Sequence, residues 1–164
     1  MHYFEFAEKD STLYEASSSL NAGLDEILEV RKDVSDTGTS VDVSRILIRF
    51  DLTYISQSVS SGLITNPKYY LNLFDAKPTE LATSQSLYAY PVSQSWTMGD
   101  GRSYDNPITT EGCSWNFKIG ETDGTRWSSI SGSGGTWYSG SGYEASHSFG
   151  HKSKDMRMGS FCSL

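Results

Sequence analysis

Histidines and carboxylates are the side chains of this chain that could bind a metal ion or transfer protons. His147 and His151 are four residues apart, and on a helix this spacing would bring both imidazoles to one metal ion. The intervening Ser-Phe-Gly is not helix-like, and on a strand the two side chains would lie about 13 Å apart on one face. We therefore predict two solvated histidines and no metal site.

Acidic residues are numerous: 20 Asp and Glu against 13 Lys and Arg give a formal charge of −7. A glycosidase needs two carboxyl groups with different pKa values, and nothing in the spacing of the acidic residues marks such a pair. Oxygen ligands for calcium could come from the acidic loop at 100–105, but the loop has no EF-hand pattern. The carboxylates considered for these roles are Asp10, Asp25, Glu26, Asp51, Asp100 and Asp105.

Other motifs of catalysis and cofactor binding are missing from the sequence. It contains no Gly-x-Ser-x-Gly nucleophile elbow, no Gly-x-Gly-x-x-Gly fingerprint and no phosphate-binding loop. The negative charge disfavours nucleic-acid binding, and no apolar stretch approaches the ~20 residues that span a membrane. We expect a non-enzymatic protein with no catalytic residue, metal or cofactor, and with neither nucleic acid nor membrane as a partner.

The tryptophans lie in the second half of the chain, at or beside predicted loops. Exposed rings could stack on sugars or anchor a protein interface, whereas buried rings would fill a core that has few aliphatic residues. We expect Trp96 and Trp115 in the core. Trp127, Trp137 and Tyr138 are the candidate residues for contact with a protein interface or a glycan.

The two cysteines, Cys113 and Cys162, are too few to define a disulfide framework. The first ten residues lack the basic stretch and apolar block of a signal peptide. Secretion by the usual route is therefore not indicated, and we expect two ordinary thiols.

Short segments with a period of two recur along the sequence and are separated by Gly, Ser, Asn and Pro. Leu52, Ile55 and Val59 have the spacing of one short helix, which Gly62 would end. Turn-rich loops are predicted at 98–107 and 128–142. Strands are predicted at residues 45–52, 68–75, 87–92, 114–119, 136–138, 143–149 and 155–158. This pattern indicates an all-β fold, an antiparallel β-sandwich or jelly roll with one short helix, as a single domain over residues 1–164.

Residues 24–32 are ambiguous. Leu24, Ile27, Leu28 and Arg31 have helical spacing in a segment of acceptable helix composition, yet Ile27 to Val30 also reads as a short strand.

Taken together, six segments resemble a known family. They are residues 10–14 (DSTLY), 20–30 (LNAGLDEILEV), 45–52 (RILIRFDL), 69–73 (YYLNL), 87–96 (LYAYPVSQSW) and 135–138 (GTWY). In this order they are similar to jelly-roll domains of the DNRLRE type, as found in virion structural proteins of large tailed marine phages such as the cyanophages.

The resemblance implies that residues 27–30 form a strand, and that the domain is a carbohydrate-binding-module-like sandwich with a structural or attachment role. The expected place is the virion, assembled in the host cytoplasm, and the expected partners are other virion proteins and copies of this chain. Family members continue after the position of residues 155–158 with strands that close the sandwich, which this sequence lacks. Either a neighbouring subunit fills the open edge by strand addition or the domain has a smaller variant sheet, and we expect the first.

Two other functions stay open at this point. One is a carbohydrate-binding module for attachment to a host surface, which requires that Trp127, Trp137 and Tyr138 form a flat exposed platform. The other is a polysaccharide depolymerase, which requires two carboxylates facing each other across a cleft.

Overall fold

The computed structural model describes residues 2–34, 38, 41–74, 85–128, 134–138, 145–149 and 155–158. This part of the chain contains seven strands and one short helix, and all four strand pairs are antiparallel. The elements are β1 (Ala7–Tyr14), β2 (Lys32–Val34), β3 (Val41–Phe50), α1 (Thr53–Ser60), β4 (Leu71–Phe74), β5 (Gln85–Ala89), β6 (Ala145–Phe149) and β7 (Asp155–Met158). No helix among these residues is long and apolar enough to cross a membrane.

The described residues fall into two compact units. Unit 1 lies within Met1–Leu52 and Gln94–Thr136, and unit 2 within Thr53–Ser93 and Trp137–Leu164. The single jelly-roll-like domain over residues 1–164 stays a prediction.

Unit 1 contains a three-stranded sheet in the order β1-β3-β2. The alternating residues of β3 predicted this strand, which begins four residues earlier than expected. β1 runs beside most of β3, from Tyr14 opposite Ser44 to Ala7 opposite Phe50. β2 pairs only with the beginning of β3, where Val34 lies opposite Val41.

β1 was not predicted from the sequence, and its burial explains why. Ser11, Thr12, Leu13 and Tyr14 are all buried, so both faces of the strand are covered at this end. A strand covered on both faces shows no alternation of polar and apolar residues, which is the signal that identifies a half-buried strand.

The strand expected at residues 27–30 is wrong, since pairing with β3 begins only at Lys32. The preceding segment is held by side chains instead of a backbone ladder. The Glu29 N–H donates to Thr12 Oγ1 at 3.2 Å, and Ser44 Oγ donates to the Glu29 carbonyl at 2.8 Å. Ile27 and Val30 consequently lie exposed rather than inside a sheet.

The strand expected at residues 114–119 is also wrong. The Ser114 N–H donates to the Phe117 carbonyl at 2.8 Å, and Ser114 Oγ accepts the Phe117 N–H at 3.2 Å. These bonds close a tight turn, so the alternation of Trp115 and Phe117 reflects burial within a loop. The long excursion predicted at 98–107 is confirmed as a region without helix or strand.

Unit 2 contains two antiparallel strand pairs, β4 with β7 and β5 with β6, together with α1. The predicted helix is confirmed: it ends at Ser60 and is followed by a turn in which the Gly62 N–H donates to the Val59 carbonyl and the φ of Gly62 is +77°. The strand predicted at 68–75 is confirmed over Leu71–Phe74, where half-buried Leu71 and Leu73 alternate with exposed Asn72 and Phe74. β7 has the predicted bounds, and residues 159–164 lie outside the described part of the chain.

Candidate binding surfaces and the core that positions them

Three of the four tryptophans belong to the core of unit 1. Trp96, Trp115 and Trp127 are 6%, 8% and 7% exposed. The expectation for Trp96 and Trp115 is therefore confirmed. Trp127, considered for surface contact, is instead buried, with its Nε1–H donating to the Ser114 carbonyl at 2.9 Å. A ring held in this way presents no face for a glycan.

Two cations cover the other buried tryptophans. Lys9 Nζ lies 4.3 Å from the centre of the Trp96 ring, and the Arg45 guanidinium lies 4.8 Å from the centre of the Trp115 ring. Arg45 also donates to the Gly134 carbonyl at 2.9 Å. Burial lowers the pKa of both Lys9 and Arg45, because it disfavours the charged form. These cations contribute cation–π packing to the core.

Asn21 holds three loops of unit 1 together. Its side chain is fully buried, and Nδ2 donates to the carbonyls of Met98 at 2.6 Å and Cys113 at 2.8 Å. Oδ1 accepts the N–H groups of Gly23 at 3.3 Å and Gly101 at 2.8 Å. Both N–H donors and both acceptor positions of the buried amide are therefore hydrogen-bonded.

Glycines surround this amide because there is no room for side chains. A Cβ atom at Gly99 would lie 2.4 Å from Asn21 Oδ1, and one at Gly112 would lie 2.5 Å from Asn21 Nδ2. A Cβ at Gly23 would lie 2.2 Å from the Met98 carbonyl oxygen. Sequence reasoning did not identify this loop core, because only Gly99 and Gly101 lie in a predicted loop, and nothing in the sequence links them to Asn21 and Gly112.

The carboxylates considered for catalysis have structural partners or lie exposed. Asp105 accepts the Arg102 N–H and the Thr109 hydroxyl, and these hydrogen bonds lower its pKa. Asp25 accepts the Ser103 N–H at 2.9 Å, while partial burial raises the pKa of Asp10. The exposed ones are Glu26, Asp51 and Asp100. Within the described ranges, no three His, Cys, Asp or Glu side chains converge as metal ligands.

A shallow cavity of about 330 Å³ opens on unit 1 beside the segment 25–29, which lines it together with Tyr14, Ser103 and Tyr104. Tyr14 donates to Glu29 Oε2 at 3.4 Å, and burial, together with the nearby Glu29 and Asp25 charges, raises its pKa. Glu29 also lies 3.5 Å from Arg31. Tyr14 and Glu29, two of the polar residues that line this cavity, thus bond to each other across its wall.

The sequence analysis also considered the cysteines and two of the histidines. Cys113 is a free, buried thiol, and burial raises its pKa to about 11, which removes the thiolate needed for nucleophilic attack. His147 lies in β6, with its backbone opposite Leu87. His151 and Cys162 fall outside the described residues.

The other two predicted surface residues, Trp137 and Tyr138, lie in unit 2. Trp137 is half-buried and its ring centre is 6.1 Å from that of Tyr90, with 32° between the planes. Tyr138 is 51% exposed. The structure therefore pairs Trp137 with Tyr90, an aromatic residue that the sequence analysis did not single out.

No protein-family description matches this chain, and no curated protein or solved structure shows significant similarity to it.

Proposed function

We propose that this chain is a non-enzymatic structural component of a tailed-phage virion. It would fold as a jelly-roll-like sandwich and serve in head decoration, neck, tail or fibre by assembling with other virion proteins and with copies of itself. Two things support this: the ordered segments that resemble DNRLRE-type virion proteins, and apolar surface at both ends of the unit 1 sheet.

The apolar surface is the observation that carries the proposal. At one end, Phe4 and Phe6 are 76% and 89% exposed and precede β1; we call these two residues the Phe patch. At the other end, Val34 and Val41 are 56% and 45% exposed and face each other across β2 and β3; we call them the Val patch.

Strand register places the two patches at opposite ends. Ala7, which follows the Phe patch, pairs with Phe50, whereas Val41 lies at the other end of the same strand. The ten residues of β3 span about 30 Å at the usual rise of a strand. Two separate apolar patches on one subunit suit contacts with two neighbours, as in a ring or tube built from head-to-tail copies.

Burial of these side chains would supply useful association energy. Removing one Phe or Val side chain from water contributes about 1.5–3 kcal/mol. The buried polar side chains of Asn21, Ser44 and Ser114 form hydrogen bonds within the chain.

We expect the double variants Phe4→Ser/Phe6→Ser and Val34→Thr/Val41→Thr each to weaken self-association roughly ten-fold or more, because each removes apolar surface from a contact. Light scattering over a dilution series measures this as a lower mass at each concentration. At concentrations low enough to dissociate the unaltered chain, thermal melts of the variants should match its melt, since all four side chains are exposed and their loss does not disturb the fold.

Leu63→Ser is the matched control, because Leu63 is 72% exposed but lies in unit 2. It should leave the mass unchanged. Equal effects of all three variants on the mass, or no effect of either double variant, would show that the patches do not mediate self-association.

A further inference from the structure

A row of aromatic side chains lies on one face of unit 2. Val92 and Trp137 form an isolated antiparallel bridge, so their side chains lie on the same face, and Tyr90 is the diagonal neighbour of Trp137. Diagonal neighbours are within reach of aromatic side chains, in agreement with the 6.1 Å between the two ring centres.

Tyr88 extends this row. It precedes Tyr90 by two residues, at the end of β5, and alternation along an extended chain puts both on one face. Tyr88 is 54% exposed, while Tyr90 and Trp137 are half-buried. We call Tyr88, Tyr90 and Trp137 the aromatic face.

Tyr138 does not belong to the aromatic face. Its N–H donates to the Pro91 carbonyl at 2.9 Å, so it continues the extended pairing begun at Trp137. Consecutive residues of an extended chain point to opposite sides. Tyr138 is therefore an exposed aromatic residue of the same segment on the other side, and serves as an internal control.

The segments that build the aromatic face carry no charge. Residues 85–93 (QSLYAYPVS) and 137–138 (WY) contain no Asp, Glu, Lys, Arg or His, in a chain of net charge −7. These two segments themselves offer no cation to an anionic glycan or a nucleic acid, and no anion to a basic peptide. An uncharged partner with both apolar and hydroxyl-bearing surface fits this composition.

We propose that the aromatic face binds a neutral hexose polysaccharide. The C–H groups on one side of a pyranose ring are weakly positive and pack against the electron-rich faces of Tyr and Trp rings. Tyr hydroxyls and the indole N–H can exchange hydrogen bonds with sugar hydroxyls at the edge of the contact. Adjacent rings such as Tyr90 and Trp137 would contact neighbouring sugars along one chain.

The test is affinity electrophoresis of the full chain in native gels that contain hydroxyethylcellulose, dextran or galactomannan, with alginate as the acidic comparison. We expect at least one neutral polymer, and not alginate, to retard the unaltered chain. Trp137→Ala and Tyr88→Ala should each weaken that binding about ten-fold, the effect of losing one ring contact. Tyr138→Ala should bind like the unaltered chain.

Thermal melts of each variant separate loss of binding from loss of fold, and Tyr88→Ala provides the test at an exposed position should Trp137→Ala prove unstable. Failure of all three neutral polymers to retard the chain would overturn the proposal, as would equal losses in Tyr88→Ala and Tyr138→Ala. A face that binds another protein would give the first of these outcomes. The Phe and Val patches lie in unit 1, whereas the aromatic face lies in unit 2. Variants of the aromatic face therefore test polysaccharide binding, and variants of the patches test self-association, so either proposal can fail without the other.

Discussion

Replacing Asn21 with alanine is expected to lower the free energy of unfolding by about 3–5 kcal/mol, the range for loss of a fully buried hydrogen-bonding network. The substitution leaves the Met98 and Cys113 carbonyls and the Gly23 and Gly101 N–H groups without their partner. It also opens a cavity where the side chain is 0% exposed.

Asn116→Ala is the matched control. Asn116 is half-buried and its Nδ2 donates to Ser18 Oγ at 3.0 Å, so its loss should cost about 1 kcal/mol. Urea unfolding followed by tryptophan fluorescence reports on both variants, since Trp96, Trp115 and Trp127 lie in the same unit. Similar stabilities for the two variants would contradict the assigned role of Asn21.

Gly112→Ala should be similarly severe, at about 3–5 kcal/mol, because two unfavourable effects add. The φ of Gly112 is +104°, a conformation that L side chains rarely adopt. The new Cβ would also lie 2.5 Å from both Asn21 Nδ2 and the Gly99 Cα, so the loop core would have to move.

Gly124→Ala isolates the conformational part of this effect. Gly124 has a φ of +70°, but no atom lies within 4 Å of its would-be Cβ. Its substitution should cost only the backbone strain of about 1–2 kcal/mol. Equal midpoints of urea unfolding for the two alanine variants would show that crowding around Asn21 contributes nothing.

Part of the secondary structure could be predicted from the sequence. β3 and β4 come from segments with a period of two in the sequence, and the single helix in the described part of the chain follows the spacing of Leu52, Ile55 and Val59. β1 could not be predicted in this way, since both of its faces are buried over Ser11 to Tyr14. At Ser114 the period-two pattern misled, because a side-chain hydroxyl closes a turn within it.

Placing the candidate surfaces needed the three-dimensional pairing. The sequence grouped Trp137 with Tyr138, although adjacent residues in an extended chain lie on opposite faces. The partner of Trp137 is Tyr90, which reaches it only through the bridge to Val92. Burial of Trp127 likewise depends on the turn at Ser114, whose carbonyl accepts its indole N–H.

The Phe patch could have been predicted from the sequence, since Phe4 and Phe6 are two residues apart and precede a strand with few apolar residues. The Val patch had none, because Val34 and Val41 meet only when β2 pairs with β3. Register therefore determines which apolar residues become surface.

The central claim, that neighbouring copies cover the apolar ends of the unit 1 sheet, is tested most directly by the solution mass of the unaltered chain. We would measure it by light scattering over a dilution series, with a thermal melt on the same samples. The account predicts a defined oligomer whose melting temperature rises with concentration, because association stabilises the folded state. A stable monomer at every concentration, with an unchanging melting temperature, would contradict it.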